Sequence, residues 1–161
     1  MNQATNTFVS GLKCANRAST QTILLNGTIN NLAHNTSQTF NLTGFDSNFA
    51  SANSGQGITV RPGVYEAHIN VTFTQPTTSG ASAWCSLSVN VTGTNAVANP
   101  SNYQTNAVFN GWPANNTSAL NTTSDLYMPS GGTVSFGMYQ FLGANISTAN
   151  LKVTLKQTKA Y

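Results

Sequence analysis

The chain contains very little charge, since only 6% of its 161 residues are Asp, Glu, Lys or Arg, against roughly 25% in an ordinary soluble domain. The acidic residues are Asp46, Glu66 and Asp125, and they lie in separate segments. A calcium site requires several clustered oxygen ligands, and catalysis requires nucleophiles, acids or bases placed together. We therefore expect no enzyme, no bound metal and no other cofactor.

Several familiar motifs and long apolar runs are also absent. The sequence contains no glycine-rich phosphate loop and no CxxC pair, no stretch approaches the length of a membrane span, and residues 1–13 lack the apolar run of a signal peptide. The net charge is +3, but the cations form no basic stripe with interleaved aromatic residues. Lys152, Lys156 and Lys159 are instead typical of a sheet edge that discourages pairing. We expect neither a membrane nor a nucleic-acid partner.

Cysteine is scarce as well, and the two that are present, Cys14 and Cys85, lie far apart in the sequence. Cys85 falls at an inward position of a predicted strand, and this position predicts a buried thiol. A disulfide between the two cysteines stays open as an alternative, because it requires an oxidising compartment.

Hydrophobic residues still make up 39% of the chain, so a packed core is expected. Asn, Thr, Ser and Gly take the place of the missing charged residues, and these four types are mediocre or poor in helix interiors. The composition therefore predicts an all-β protein. It also suits a surface covered by neighbouring molecules, because unpaired charges are costly to remove from water.

The most informative segment runs from Gly55 to Phe73 and reads GQGITVRPGVYEAHINVTF. A short strand ends at the turn Pro62-Gly63, and residues Tyr65–Phe73 then alternate between apolar and polar types. Strict alternation is typical of a half-buried antiparallel strand, and proline followed by glycine is typical of a turn. We predict a hairpin here, with Glu66 and His68 on the polar face of its second strand.

Other segments repeat this pattern, and together they predict eight to ten strands and no helix. The turn signal Asn26-Gly27 predicts a second hairpin near the N-terminus. We expect a single-domain antiparallel β-sandwich over residues 20–161, preceded by an N-terminal arm over residues 1–19. Further strands are predicted around Phe40–Leu42 and Gln104–Phe109, and over Ala81–Val91, Asp125–Met128, Thr133–Phe141 and Leu151–Leu155.

A polar strand that enters a proline-glycine turn and continues through Val64-Tyr65 into an alternating strand resembles the jelly-roll superfamily that includes tumour necrosis factor and the globular head of complement. The turn Met128–Gly132 and the closing strand Leu151–Leu155 are similar to their counterparts there, and the resemblance covers about residues 20–157. The sequence departs from the pattern at Ala67, where an aromatic residue is usual, and at the entry to the last strand. The resemblance implies a TNF-like jelly roll that assembles as a homotrimer.

Candidate site residues follow from this resemblance. In such a trimer the face carrying Glu66 and His68 can approach the three-fold axis, where a ring of metal ligands or proton sensors is one hypothesis and an ordinary polar interface is the favoured one. Trp84 points outward from its strand and needs a partner, so we assign it to the same trimer interface. Trp112, Tyr103 and Phe8 are candidate ligand or shell contacts, although Trp112 can instead close one end of the sandwich.

Two functions from different classes are compatible with these features. The favoured one is a structural virion protein: a homotrimeric decoration or cement protein on the capsid exterior, which binds the viral major capsid protein and stabilises the shell. The alternative is the receptor- or carbohydrate-binding head of a phage fibre or a secreted adhesin, with a host-surface glycan as its partner. Tyr103, Trp112 or Tyr127 would then stack on the sugar. The sequence has no coiled-coil or collagen shaft, and this absence favours the first function.

Overall fold

The computed structural model describes residues 22–43, 50–53, 55–76, 83–105 and 113–161. The predicted N-terminal arm, residues 1–19, lies outside them. Within the described ranges the chain forms strands and no helix. The strands are β1 Thr22–Leu32, β2 Thr36–Thr39, β3 Asn41–Thr43, β4 Ala50–Asn53, β5 Gly57–Val60, β6 Gly63–Thr74, β7 Trp84–Thr92, β8 Val97–Asn99, β9 Asn102–Thr105, β10 Thr117–Met128, β11 Gly132–Phe141 and β12 Ile146–Ala160.

These strands form two sheets in which the strand pairings are antiparallel. The first, which we call sheet I, has the strand order β3-β1-β12-β6-β10-β8. The second, sheet II, has the order β4-β5-β11-β7-β9, and β2 pairs beside β5 on the same edge of β11. The all-β antiparallel sandwich predicted from the sequence is therefore confirmed.

The core lies between the two sheets and follows from the alternation of the strands. In β6 the side chains of alternate residues from Tyr65 to Phe73 point inward and are buried. Phe136 and Met138 of β11 approach from the opposite sheet and are also buried. Fully burying a side chain of this size stabilises the fold by roughly 1.5–3 kcal/mol, so the period-2 pattern decides which face of each strand points inward.

The predicted hairpin at Pro62-Gly63 is wrong. β5 pairs with β4 and β11 in sheet II, whereas β6 pairs with β12 and β10 in sheet I. The turn therefore carries the chain from one sheet to the other. The turn between β10 and β11 does the same. Alternation identifies the inward face of a strand but not its neighbours, and for this reason the sequence pattern alone suggested a hairpin.

The two crossing turns lie side by side at one end of the sandwich, and their backbones approach too closely for side chains. A Cβ atom on Gly63 would lie 2.6 Å from the carbonyl oxygen of Lys159. Gly131, in the other turn, has φ of 70°, and a Cβ there would lie 2.7 Å from the carbonyl oxygen of Val60. Gly131 is therefore required by the packing of the two turns, and Gly63 by the close approach of β12.

The predicted hairpin at Asn26-Gly27 is also wrong. β1 continues through both residues without a turn, pairing with β12 on one side and with β3 on the other. The side chains of Leu42 and Leu151 close over Gly27, and a Cβ on Gly27 would lie 3.1–3.2 Å from them. The glycine thus serves packing within a strand, and the local turn signal is overridden by long-range pairing.

Replacing Gly131 by alanine should lower the free energy of unfolding more than replacing Gly55 by alanine. Both residues have positive φ, 70° and 75°, so both variants incur the left-handed cost of roughly 1–2 kcal/mol. Only at Gly131 does the new Cβ meet backbone, because nothing lies within 4 Å of a Cβ at Gly55. Urea denaturation of both variants measures the difference, and equal losses would contradict the close approach of the turns.

Candidate interaction surface

The outward side chains of sheet I form one continuous surface, which we call the sheet I face. The pairing register aligns these side chains in rows across the strands. One row contains Lys156, Glu66 and Asp125. The next contains Leu24, Thr154, His68 and Thr123, and the third contains Asn26, Lys152, Asn70 and Asn121.

A shallow depression of about 780 Å³ lies on this face. Asn70 Nδ2 donates a hydrogen bond of 2.6 Å to Asn121 Oδ1 across its floor. Tyr103, which belongs to β9 of sheet II, also lines the depression, as do His68 and Lys152. The lining therefore combines amides and hydroxyls with the Tyr103 and His68 rings, the Lys152 ammonium and the apolar side chain of Leu24.

The charged groups of the sheet I face are few and mostly unpaired. His68 Nε2 lies 3.2 Å from Glu66 Oε1, with the two side chains 51% and 38% exposed, and a pair this exposed contributes little to stability. Asp125, Lys152 and Lys156 make no ion pair with another described residue. Within the described ranges, no group of three or more His, Cys, Asp or Glu side chains is placed to hold a metal ion.

The exposed apolar side chains gather on the same face. Leu24 is 63% exposed in the second row, beside the lysines of β12. Val97 pairs with Tyr127 at the other side of the face, and both are exposed. The Tyr161 ring packs edge-on against Tyr127 at 6.1 Å between centroids. Exposed apolar side chains that share one face, among them tyrosine, which is enriched at binding hot spots, make the sheet I face a candidate protein–protein interaction site.

A separate aromatic cluster covers one end of the outer face of sheet II. The Trp84 ring stacks on Tyr139 with 4.7 Å between centroids, and Phe141 lies next to it at 6.4 Å. His34 extends the cluster, with its ring centroid 4.7 Å from that of Phe141. The Tyr139 hydroxyl donates a hydrogen bond to Asn35 Oδ1. The outward Trp84 therefore has partners within its own chain.

The structure brings together some of the predicted site residues and separates others. Glu66 and His68 lie on the sheet I face as predicted, and Tyr103 borders the same depression. Trp84 lies on the opposite side of the sandwich, so the structure does not join it to Glu66 and His68. Trp112 and Phe8 lie outside the described residues.

Sequence reasoning missed two members of this face. Asp125 was expected at the start of a short strand, but β10 begins at Thr117 and places Asp125 directly across from Glu66. Leu24 is exposed between the buried Ile23 and Leu25. Its outward position follows from strict alternation along β1. The sequence analysis did not use this alternation, because the turn predicted at Asn26-Gly27 divided β1 into two short strands.

Cys85 is buried under sheet II, as the sequence predicted, and Cys14 lies outside the described residues. Burial raises the pKa of the Cys85 thiol to about 12 and outweighs the opposing effect of a hydrogen bond with the Phe141 backbone. Because the thiolate is the reactive species, the raised pKa makes this thiol a poor nucleophile at neutral pH.

A variant with Cys14 replaced by serine isolates the Cys85 thiol for a reactivity test. With a pKa of about 12, only about one thiol in ten thousand is ionised at pH 8, and reaction with a disulfide reagent requires that ionised form. We expect no labelling of the folded variant over an hour and one equivalent of labelling in urea. Rapid labelling without urea would contradict the buried position.

Comparison with known proteins supports the fold and gives no family. No protein-family model matches the chain, and no curated protein does. Among solved structures, the PRD1 vertex protein P5 matches 84% of this chain and 96% of its own, with a TM-score of 0.49 and 15% sequence identity. Eiger, a tumour necrosis factor from S. frugiperda, matches 88% of this chain and 94% of its own, with a TM-score of 0.55 and 8% identity.

The similarity to Eiger is one of fold. The chain is a TNF-like jelly-roll sandwich, and the predicted resemblance to the tumour necrosis factor superfamily is confirmed at that level. In the part of the chain that the structure describes, no helix has the length and apolar character needed to cross a membrane.

Proposed function

We propose that the protein is a structural protein of a virion: a homotrimer that decorates the capsid exterior and stabilises the shell by binding the major capsid protein. The observation that carries this proposal is the distribution of exposed side chains. Among the described residues, every Lys, Asp and Glu and every large exposed apolar side chain belongs to or borders the sheet I face. The proposal gives the protein no catalytic role.

The sheet I face supports the trimer. An isolated monomer would leave Leu24, Val97 and Tyr127 in water, whereas a subunit contact would bury them at favourable free energy. Soluble oligomers are mostly symmetric copies of one chain, and the resemblance to the trimer-forming tumour necrosis factor superfamily supports a three-fold arrangement. Glu66 and His68, in the middle of the face on β6, would then lie near the symmetry axis.

The outer face of sheet II supports the contact with a shell. No strand of sheet II contains Lys, Arg, Asp or Glu. When another protein covers this face, no charged side chain of these strands has to be removed from water. Its aromatic cluster offers half-buried ring surface at one end. We therefore reassign Trp84 from the subunit contact to the shell contact, and Phe8 and Trp112 stay predicted contacts of the same kind.

Light scattering on the purified chain tests the assembly. We expect a particle of about three times the 16.9 kDa chain mass, because the exposed apolar residues of the sheet I face would be buried between copies. A particle of one chain mass at micromolar concentration would remove the proposal.

Replacing Trp84 by alanine should weaken binding to capsid shells by roughly tenfold or more, since interface tryptophans commonly contribute above 1 kcal/mol. The trimer should keep its mass, because Trp84 lies on the other side of the sandwich. Co-sedimentation with shells that lack the decoration measures the binding. Trp84→Phe, which keeps an aromatic ring at this position, is the matched control and should retain most of the binding. Equal shell binding by wild type and Trp84→Ala would contradict the reassignment.

The second candidate function, glycan binding, is favoured by one observation. Tyr103 borders a depression whose floor carries the amides of Asn70 and Asn121. An aromatic ring beside hydrogen-bonding groups is the arrangement that holds small polar ligands. Under this alternative a glycan array gives hits with the wild-type protein, and Tyr103→Ala loses them without a change in particle mass. An array without hits would contradict glycan binding, and the structural function would then be the single remaining proposal.

A further inference from the structure

The depression on the sheet I face is lined by one permanently charged group among the described residues, the Lys152 ammonium, and by no carboxylate. Lys152 is exposed on β12, and in the third row it stands between Asn26 of β1 and Asn70 of β6. Both neighbours are amides, which donate and accept hydrogen bonds but carry no charge. The described lining of the depression is therefore cationic.

The carboxylates of the same face lie too far away to neutralise Lys152. Glu66 and Asp125 belong to the first row, four residues along β6 and β10 from the third row. Four residues of a strand span about 13 Å at roughly 3.3 Å per residue, and this distance exceeds the Debye length of about 10 Å in 0.1 M salt. Lys152 makes no ion pair with a described residue, so its charge is available to a ligand.

The floor of the depression beside Lys152 is already arranged for hydrogen bonding. Asn70 Nδ2 donates a hydrogen bond to Asn121 Oδ1, which leaves the oxygen of Asn70 and the NH2 group of Asn121 for a ligand. Because the two amides hold each other in place, less side-chain freedom is lost when a ligand binds. The volume of about 780 Å³ lies within the usual range for ligand sites, roughly 300–1,000 Å³.

The position of Tyr103 sets the length of a ligand that uses the whole depression. β9 follows β8, which is the edge strand beyond β10, so Tyr103 reaches the depression from the β10 side. Lys152 projects from β12, and β6 lies between β12 and β10. A ligand that contacts both side chains must therefore cross β6, a distance of two strand spacings or roughly 10 Å. One sugar ring is too short for this span.

We propose that the depression binds an acidic saccharide of at least two units. A carboxylate of one unit pairs with the Lys152 ammonium, hydroxyl groups bond to the amides of Asn70 and Asn121, and the next unit packs on the Tyr103 ring. This inference rests on glycan binding, the second candidate function, and adds the charge and the length of the ligand. It requires the depression to face solvent, so a subunit contact that covered the depression would exclude it.

The groups of the lining select an acidic sugar over simpler ligands. An apolar ligand would leave the amides and the ammonium without partners, and unmade hydrogen bonds of buried polar groups are costly. A phosphate or sulfate ion would pair with Lys152 but would not reach Tyr103. A saccharide with one carboxylate supplies a negative charge for the single ammonium, hydroxyls that both donate and accept for the amides, and an apolar ring face for the tyrosine.

An array of glycans printed in pairs tests the proposal. The two members of each pair are the same oligosaccharide, ending in glucuronic acid in one member and in glucose in the other. We expect the wild-type protein to bind the acidic member at least about tenfold more tightly, the ratio expected for a hydrogen bond to a charged group. This preference should decrease between about 0.1 M and 1 M salt, because the Debye length falls from roughly 10 Å to 3 Å.

Two lysine variants locate the charge that causes this preference. Lys152→Gln removes the ammonium from the depression and should bind both members of a pair equally. Lys156→Gln is the matched control, because it removes the same charge from the same strand and face outside the lining, and it should keep the wild-type preference. Both positions are exposed, so both variants should fold, and circular dichroism checks this. Tyr103→Ala should weaken binding of both members alike.

The possible results separate this inference from glycan binding itself. Equal binding of acidic and neutral members by the wild type would overturn the acidic ligand and leave glycan binding intact. Equal loss of the preference in Lys152→Gln and Lys156→Gln would show a general attraction of anions to the face and would overturn the assignment to the depression. An array without hits would overturn the inference together with glycan binding.

Discussion

The architecture depends on two turns that carry the chain between the sheets at one end of the sandwich. The turn before β6 and the turn before β11 pack against each other with glycine at the points of closest approach. Gln157 of β12 holds the first of these turns against sheet I, because its buried side-chain amide donates a hydrogen bond of 3.2 Å to the carbonyl oxygen of Pro62. β6 begins beside β12 at this junction, and β10 ends there beside β6. The register of the centre of sheet I is therefore set where the turns meet.

This register has a consequence for the outer surface. Glu66 and Asp125 are 59 residues apart in sequence and become direct neighbours, with Lys156 on the other side of Glu66. A slip of one residue in any of the three strands would exchange the inward and outward faces and would bury charges in the core. Burial of the apolar stripe of β6 thus fixes the positions of the charges on the other side. The alternation of apolar and polar residues along these strands therefore determines both the core and the candidate interaction surface.

The same physics explains how much could be predicted from the sequence. The inward positions of Tyr65 and Cys85 and the shared face of Glu66 and His68 depend only on alternation within one strand, and the sequence predicted them. The hairpins at Pro62 and Asn26 were wrong, because a turn signal does not say whether the next strand pairs or crosses. Asp125 beside Glu66 was not predicted, since their contact depends on pairing between distant strands. Composition limited the candidate functions but could not locate the sheet I face, because that face depends on the pairing of distant strands.

The scarcity of charge makes the position of each charge informative. Solubility of an isolated domain usually depends on many mixed surface charges, whereas this chain keeps its described Lys, Asp and Glu residues on a single face and leaves every strand of sheet II without one. If those charges served solubility alone, they would be spread over both sheets. Their segregation leaves the outer face of sheet II without any charge on its strands, so another protein could cover that face without removing a charged group of those strands from water.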